Sequence, residues 1–314
     1  VSGRIMPFLK GYQDDIPRVK WLGYSARDFD RIFMSEVNEE SWVKHIEDLQ
    51  RDLTDSVIRK AVMQLPPEVF KISGENTIAK MISRRNLLMD AGMKYYRFIS
   101  REVNVVGSNE KEYFKISNHG EGLQVKVYAY PKGKDTSFVM YDRIFNPAVT
   151  KEIRLFGLND DDKFEVEENA VSRIKLRIIG GRGNDTFDIR GNVPNLIYDM
   201  NVEGNYILNE SRTKNRFSLD PPNNARAILG YQYNYTKLPQ FALGYNSDDE
   251  LMGGAAITHR TYGFRFLPYK TDQRLSFLIA PSRNAFQARY RGEFNQVIRE
   301  NDILINAVYS TPAL

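Results

Sequence analysis

The chain has no cysteine, only three histidines and two tryptophans in 314 residues, and no run of about 18 uncharged apolar residues. Without cysteine there is no disulfide, no thiolate-held metal and no cysteine nucleophile, although the compartment stays open. The missing apolar run excludes a transmembrane helix. It leaves a membrane barrel untouched, because barrel strands need about ten residues each and are apolar on one side only. An excess of one charge is lacking too: 44 basic residues stand against 40 acidic ones, a net +4, too mixed to point to a nucleic-acid partner. Val1 is not an initiator methionine and no charged-then-apolar signal segment follows it, so the chain is expected to begin after processing or inside a longer polypeptide.

Recognisable catalytic groupings are also missing. His45, His119 and His259 have no second histidine at metal-ligand spacing. There is no G-x-S-x-G elbow. Gly180-Gly181-Arg182-Gly183 lacks the Lys-Ser/Thr ending of a nucleotide loop and is followed by a strand pattern. Whether the protein is an enzyme is therefore left open, with no catalytic motif in this stretch.

What is present is 42% apolar residues, enough for buried cores, arranged in three styles along the chain. The expected fold class is α+β: an N-terminal helical segment (1–102), a small β-layer or solenoid-like repeat module (103–220), and a partial antiparallel transmembrane β-barrel (221–314). In the first part Trp42, Ile46, Leu49, Leu53, Val57 and Ala61 recur at helical spacing behind Asn38, a candidate N-cap. They predict one long amphipathic helix, stopped by Pro66-Pro67. A second helical stretch starts near Ser73 and is expected to bend at Gly92. Tyr95, Tyr96, Phe98 and Ile99 are expected in its core-facing side.

At Val103 the period becomes alternating, with strands predicted over 124–130 and 138–141. An internal repeat then appears. Residues 153–168 and 176–191 align with an offset of 23, Ile153-Arg154-Leu155-Phe156-Gly157 over Leu176-Arg177-Ile178-Ile179-Gly180, each copy reading strand, polar turn, strand. Stacked copies would bury their Leu/Ile/Phe side. Within the second copy, Gly180-Gly181-Arg182-Gly183-Asn184-Asp185-Thr186-Phe187-Asp188 fits the nonapeptide of calcium-binding β-rolls, in which glycines turn carbonyls inward and aspartate adds a hard oxygen ligand. That makes Asp160, Asp162, Asp185 and Asp188 candidate calcium ligands. The competing reading is that Asp and Asn merely bond the backbone of tight turns, and on it the chain needs no cofactor.

From Ala225 six alternating segments follow: 225–238, 241–245, 251–264, 273–280, 285–294 and 302–309. In the fifth, Phe286, Ala288, Tyr290, Gly292 and Phe294 lie on one side, and Gln287, Arg289, Arg291 and Glu293 on the other. Ile303, Ile305, Ala307 and Tyr309 continue the apolar side. Lipid outside and water inside would suit such strands, with Tyr231, Tyr233, Tyr235, Tyr262, Phe264 and Phe266 as an interfacial girdle. A soluble antiparallel sandwich alternates in the same way. Six strands fall short of the eight of the smallest membrane barrels, so a lipid-facing reading expects the wall to be completed from elsewhere.

Several strings carry a family resemblance. Arg18-Val19-Lys20-Trp21, Ala26-Arg27-Asp28-Phe29-Asp30-Arg31, Leu53-Thr54-Asp55-Ser56-Val57-Ile58, Leu65-Pro66-Pro67-Glu68-Val69-Phe70, Tyr95-Tyr96-Arg97-Phe98 and Val103-Asn104-Val105-Val106-Gly107 belong to this set. So do Ile178-Ile179-Gly180-Gly181 with Asn184-Asp185-Thr186, Leu243-Gly244-Tyr245-Asn246-Ser247-Asp248-Asp249, and Tyr262-Gly263-Phe264-Arg265. Together they resemble the middle of large Gram-negative outer-membrane proteins that carry a calcineurin-like metallophosphoesterase region and end in a BamA/TamA-type (surface antigen) barrel. The resemblance implies a periplasmic portion joined to a barrel in the cell outer membrane. Its implied partners are outer-membrane lipid and other envelope proteins, and its implied role is envelope or surface-protein assembly or the tethering of a phosphoesterase. The phosphoesterase's Asp/His/Asn ligand motifs are not in this stretch, so that activity would reside outside it. The alternatives from the residues alone are a soluble calcium-binding β-roll scaffold or adhesion module, and an enzyme with an unrecognised site.

Overall fold

The computed structural model describes residues 11–133, 136–219, 231–246, 250–266, 268–298 and 301–311. The chain divides into two compact units, Val1–Leu229 and Gly230–Leu314.

The first unit opens with helices. Those used below are α1 (Arg27–Phe33), α2 (Glu39–Asp52), α3 (Asp55–Val62), α4 (Glu75–Asn86) and α5 (Leu88–Ile99). Asn38 caps α2, its side-chain oxygen accepting from the Ser41 amide at 2.8 Å, and Glu39 and Glu40 sit in the first turn where the helix dipole favours them. The single long helix expected beyond Asn38 is in fact two. Thr54 adopts an extended backbone and accepts the Val57 amide at 3.2 Å, so it ends the α2 ladder and starts α3. Nor does the chain bend at Gly92. The break comes at Leu87, between α4 and α5, while Gly92 stays helical and leaves room for Ile46. Two buried arginines fasten the helices to the β-structure that follows. Arg31 donates to the carbonyls of Phe98, Ile99 and Glu102 at 2.8–3.0 Å, and Arg143 reaches the Ser35 carbonyl, Tyr96 and Ser100.

That β-structure is a two-sheet parallel solenoid. One sheet is β1 (Glu102–Val106), β5 (Glu152–Asn159), β7 (Lys175–Arg182) and β9 (Asn195–Tyr198), all parallel in that order. The other stacks β2 (Lys111–His119), β6 (Lys163–Val166), β8 (Thr186–Ile189) and β10 (Tyr206–Leu208), and extends past β2 through the antiparallel strands β3 (Gly122–Tyr130) and β4 (Phe138–Phe145). The chain alternates between the sheets, so each pass makes one rung. The register pairs Ile153 with Leu176, Leu155 with Ile178, Phe164 with Phe187 and Val166 with Ile189, which is the 23-residue offset of the sequence repeat. Alternation then buries every second side chain between the sheets. Ile153, Leu155, Leu176 and Ile178 face Phe114, Phe164, Phe187 and Ile189, all fully buried. The rings of Phe114, Phe164 and Phe187 stack rung on rung at 4.5 and 5.4 Å. Each such side chain contributes roughly 1.5–3 kcal/mol by leaving water.

The second unit is a meander of β11 (Tyr235–Asn246), β12 (Glu250–Thr261), β13 (Thr271–Ala280), β14 (Ala285–Ile298) and β15 (Asn301–Ser310), each antiparallel to the next. The first two segments expected from sequence are one strand here, bulged between Lys237 and Gln240 because Pro239 has no amide to give the ladder. Residues 225–230 of that expectation, and 247–249 of the following turn, lie outside the described residues. Among the described residues the sheet thus has five strands, not six, and does not close into a barrel.

Candidate functional site

Of the four aspartates expected to hold calcium, the fold brings two together. Asp162 and Asp185 take the same place on successive rungs, at the corner where the chain passes from the four-stranded to the six-stranded sheet, and both are buried inward. Asp160 turns instead to the Lys132 ammonium at 2.6 Å. Asp188 sits between the inward-facing Phe187 and Ile189, hence points outward, to Arg190 at 3.3 Å and Asn209 at 3.0 Å. Among the described residues no three acidic or histidine side chains converge to hold a cation.

The glycines of the β-roll-like string have a backbone explanation. Gly181 and Gly183 lie at φ 119° and 142°, and a Cβ on either would strike the backbone of Leu158 or Asp160 on the preceding rung. The first copy turns the same corner with Leu158 and Asp160 at φ 86° and 76°.

Two residues not singled out from sequence complete the inward column, Glu112 one rung before and Asp199 beyond. The Glu112 amide donates to Asp162 Oδ1, the Asp162 amide to Asp185 Oδ1 and the Asp185 amide to Asn205 Oδ1, each at 2.7 Å. This side-chain ladder binds the rungs at the corner, between the two sheets. Room for the carboxyl groups comes from Gly107, Gly157 and Gly180, where a Cβ would collide with Glu112, Asp162 and Asp185 respectively. A glycine five residues before an acid, three times over, is the signal by which the sequence announces the column. Electrostatics follows from burial. Desolvation pushes Asp162 up to about 9 and raises Glu112. Asp185 and Asp199 are raised as well, by burial first, and then Asp199 by the charge of Asp185 and both by that of Glu203. At neutral pH Asp162 therefore keeps its proton.

In the second unit the chemistry lies in two opposed faces. Cross-strand register sets Phe241, Ala255, Phe277, Ala288 and Tyr309 in one row, with Leu243, Gly253, Ile279 and Phe286 on one side of it and Ile257, Leu275, Tyr290 and Ala307 on the other. This apolar face is uncovered: Phe241 is 84% exposed, Leu243 83% and Phe277 52%. Toward the Thr261–Thr271 end it turns polar, where Thr236 bonds His259 and Tyr290 donates to Gln273. The reverse face carries Lys237, Arg260, Arg274, Arg289 and Arg291, with Asp272 and Glu293 among them. Tyr235, expected in an interfacial girdle, lines this polar face beside Arg260.

Compared with family models, curated proteins and solved structures, the chain matches none.

Proposed function

We propose that the second unit is a stretch of a membrane β-barrel wall in the bacterial outer membrane, and that the helices and solenoid are its periplasmic companion. In this reading the apolar face meets lipid and the arginine-rich face meets the water-filled or plugged interior. One observation carries it. Five consecutive antiparallel strands of 10 to 14 residues leave an apolar face, with Phe241, Leu243, Phe277, Ile279 and Tyr309 exposed on it, bare on one side while gathering their charges on the other. A soluble sheet hides its apolar side beneath a second layer, and a membrane strand needs about 9–11 residues. From Phe286 to Phe294 the apolar side of β14 runs about 27 Å at roughly 3.4 Å per residue, close to the ~25 Å apolar band of outer-membrane barrels. Such a wall requires β11 and β15 both to pair with further strands, since an unpaired edge in lipid leaves amides unsatisfied at several kcal/mol each. The partners are then outer-membrane lipid and other envelope proteins, and the role is envelope assembly or the anchoring of an attached phosphoesterase.

The natural lack of cysteine makes the test clean. Single cysteines at Phe277, Phe286, Arg274 and Arg291 would be spin-labelled on the full chain in liposomes. Labels at 277 and 286 should be relaxed by dissolved oxygen and those at 274 and 291 by a water-soluble nickel complex. The proposal is overturned if all four sites respond alike, or if the chain stays folded and monomeric in detergent-free buffer.

A further inference from the structure

The polar face of the second unit holds a row of side chains that are all hydrogen-bond donors. Lys237 pairs across the strands with Thr258, Thr258 with Arg274, Arg274 with Arg291, and Arg291 with Asn306. Directly opposed residues of an antiparallel pair have their Cβ atoms about 4.5–5.5 Å apart, and like charges so placed repel. The row contains three cations and no carboxylate. The two acids next to this row, Asp272 and Glu293, stand in the neighbouring row, and both are engaged. Asp272 is paired with Arg260, and Glu293 takes the Tyr269 hydroxyl and one Arg291 nitrogen. The row on the other side brings Gln240, Ser276 and a further cation, Arg289. Among the described residues no carboxylate pairs with Arg274 or with Lys237, whose ammonium lies over the Tyr235 ring at 5.4 Å. These groups open onto a recess of about 370 Å³, whose far side is lined by Arg260 and Tyr269 with the engaged Asp272 and Glu293.

We infer that this row is a binding site for a phosphate-type oxyanion, seated between the Arg274 and Arg291 guanidinium groups with Thr258 and Lys237 as further donors. Two guanidinium forks side by side match the oxygen edges of a tetrahedral phosphoryl group, and a dianion between them turns a repulsive pair into an attractive one. The recess leaves room for the phosphoryl group to be part of a larger molecule. The site lies on the charged face whatever covers the apolar one, so it stands apart from the membrane assignment.

Inorganic phosphate is the probe, titrated by calorimetry into the detergent-solubilised full chain at low salt, with chloride at matched ionic strength as the blank. Binding should weaken by about tenfold or more in Arg274→Gln and by less in Arg274→Lys, which keeps the charge and loses the fork. Arg289→Gln removes the same charge one row away and should stay within about twofold of the parent. Arg274→Gln should also raise the melting temperature in phosphate-free buffer, because it relieves the Arg274–Arg291 repulsion, and should abolish the further rise that phosphate gives the parent. Equal losses in Arg274→Gln and Arg289→Gln would reduce the effect to general charge attraction and overturn the site. So would phosphate binding no tighter than chloride.

Discussion

The solenoid and the meander are written in the same alternating pattern and use it in opposite ways. In the solenoid Ile153, Leu155, Leu176 and Ile178 are wholly buried because a second sheet lies across from them. In the meander Phe241, Leu243 and Phe277 stand open at 84%, 83% and 52% exposure, and the charges occupy the other side. The alternation states that a strand has two faces; only what lies against a face says whether it is a core. A residue of one type should thus carry very different weight in the two units.

The largest effect is expected from the stacked rings. Phe187→Ala should cost about 3–5 kcal/mol of solenoid stability, read from denaturant unfolding, by removing a ring from between Phe164 and Phe217. Phe277→Ala in the meander should cost much less in detergent, and equal costs would erase the contrast. Next is the reverse probe. Ala288→Arg, on the bare face beside Phe277 and Tyr309, should lower membrane stability by about 2–4 kcal/mol if that face meets lipid, whereas the Arg289 neighbour tolerates charge already.

A third probe works on the buried column. Asp162 keeps its proton in the folded state up to about 9, whereas an unfolded aspartate loses it near 4. The folded state therefore holds the extra proton between these values. Stability is full below about pH 4 and falls as pH rises toward 9, by at most about 1.4 kcal/mol per unit for one group. Asp162→Asn keeps the oxygen that accepts the Glu112 amide and cannot ionise. It should flatten this slope and stabilise the first unit by roughly 1–3 kcal/mol at pH 8; a parent curve that is flat or rises over this range would contradict a protonated Asp162. The smallest effect is expected from metal removal. With Asp160 and Asp188 engaged outside the corner and the glycines accounted for by backbone, EDTA should leave the melting midpoint unchanged. A clear drop restored by Ca²⁺ would revive the β-roll reading.

The 23-residue repeat was legible because both copies keep the same strand lengths and turn, and its register is that of β5 on β7 and β6 on β8. The outer rungs were hidden. The step from Tyr113 to Lys163 is 50 residues, since β3 and β4 are inserted, and the last rung is shortened. Glu112 and Asp199 were missed with them, because an acid looks exposed until the glycine opposite it is counted. Asp188 and Asp162 looked alike in the string, and only strand parity separates an outward side chain from an inward one. In the helices, hydrophobic spacing continued straight through Leu53 and Thr54, and it was the threonine's bond to the Val57 amide, a local event, that cut the helix there.

The two corners of the solenoid differ in what they can absorb. At the carboxyl corner, connections are short and each rung is bonded through its neighbour's side chain, so one added residue would throw the whole column out of step. At the opposite corner the chain has already taken in the entire β3–β4 hairpin between β2 and β5 without disturbing the stacking of Val103 on Ile153 or Phe114 on Phe164. Foreign sequence grafted at this corner belongs between the exposed Glu168 and Asn169, because Ala170 and Ile174 beyond them are part of the core, and there it should be carried more readily than at the carboxyl corner.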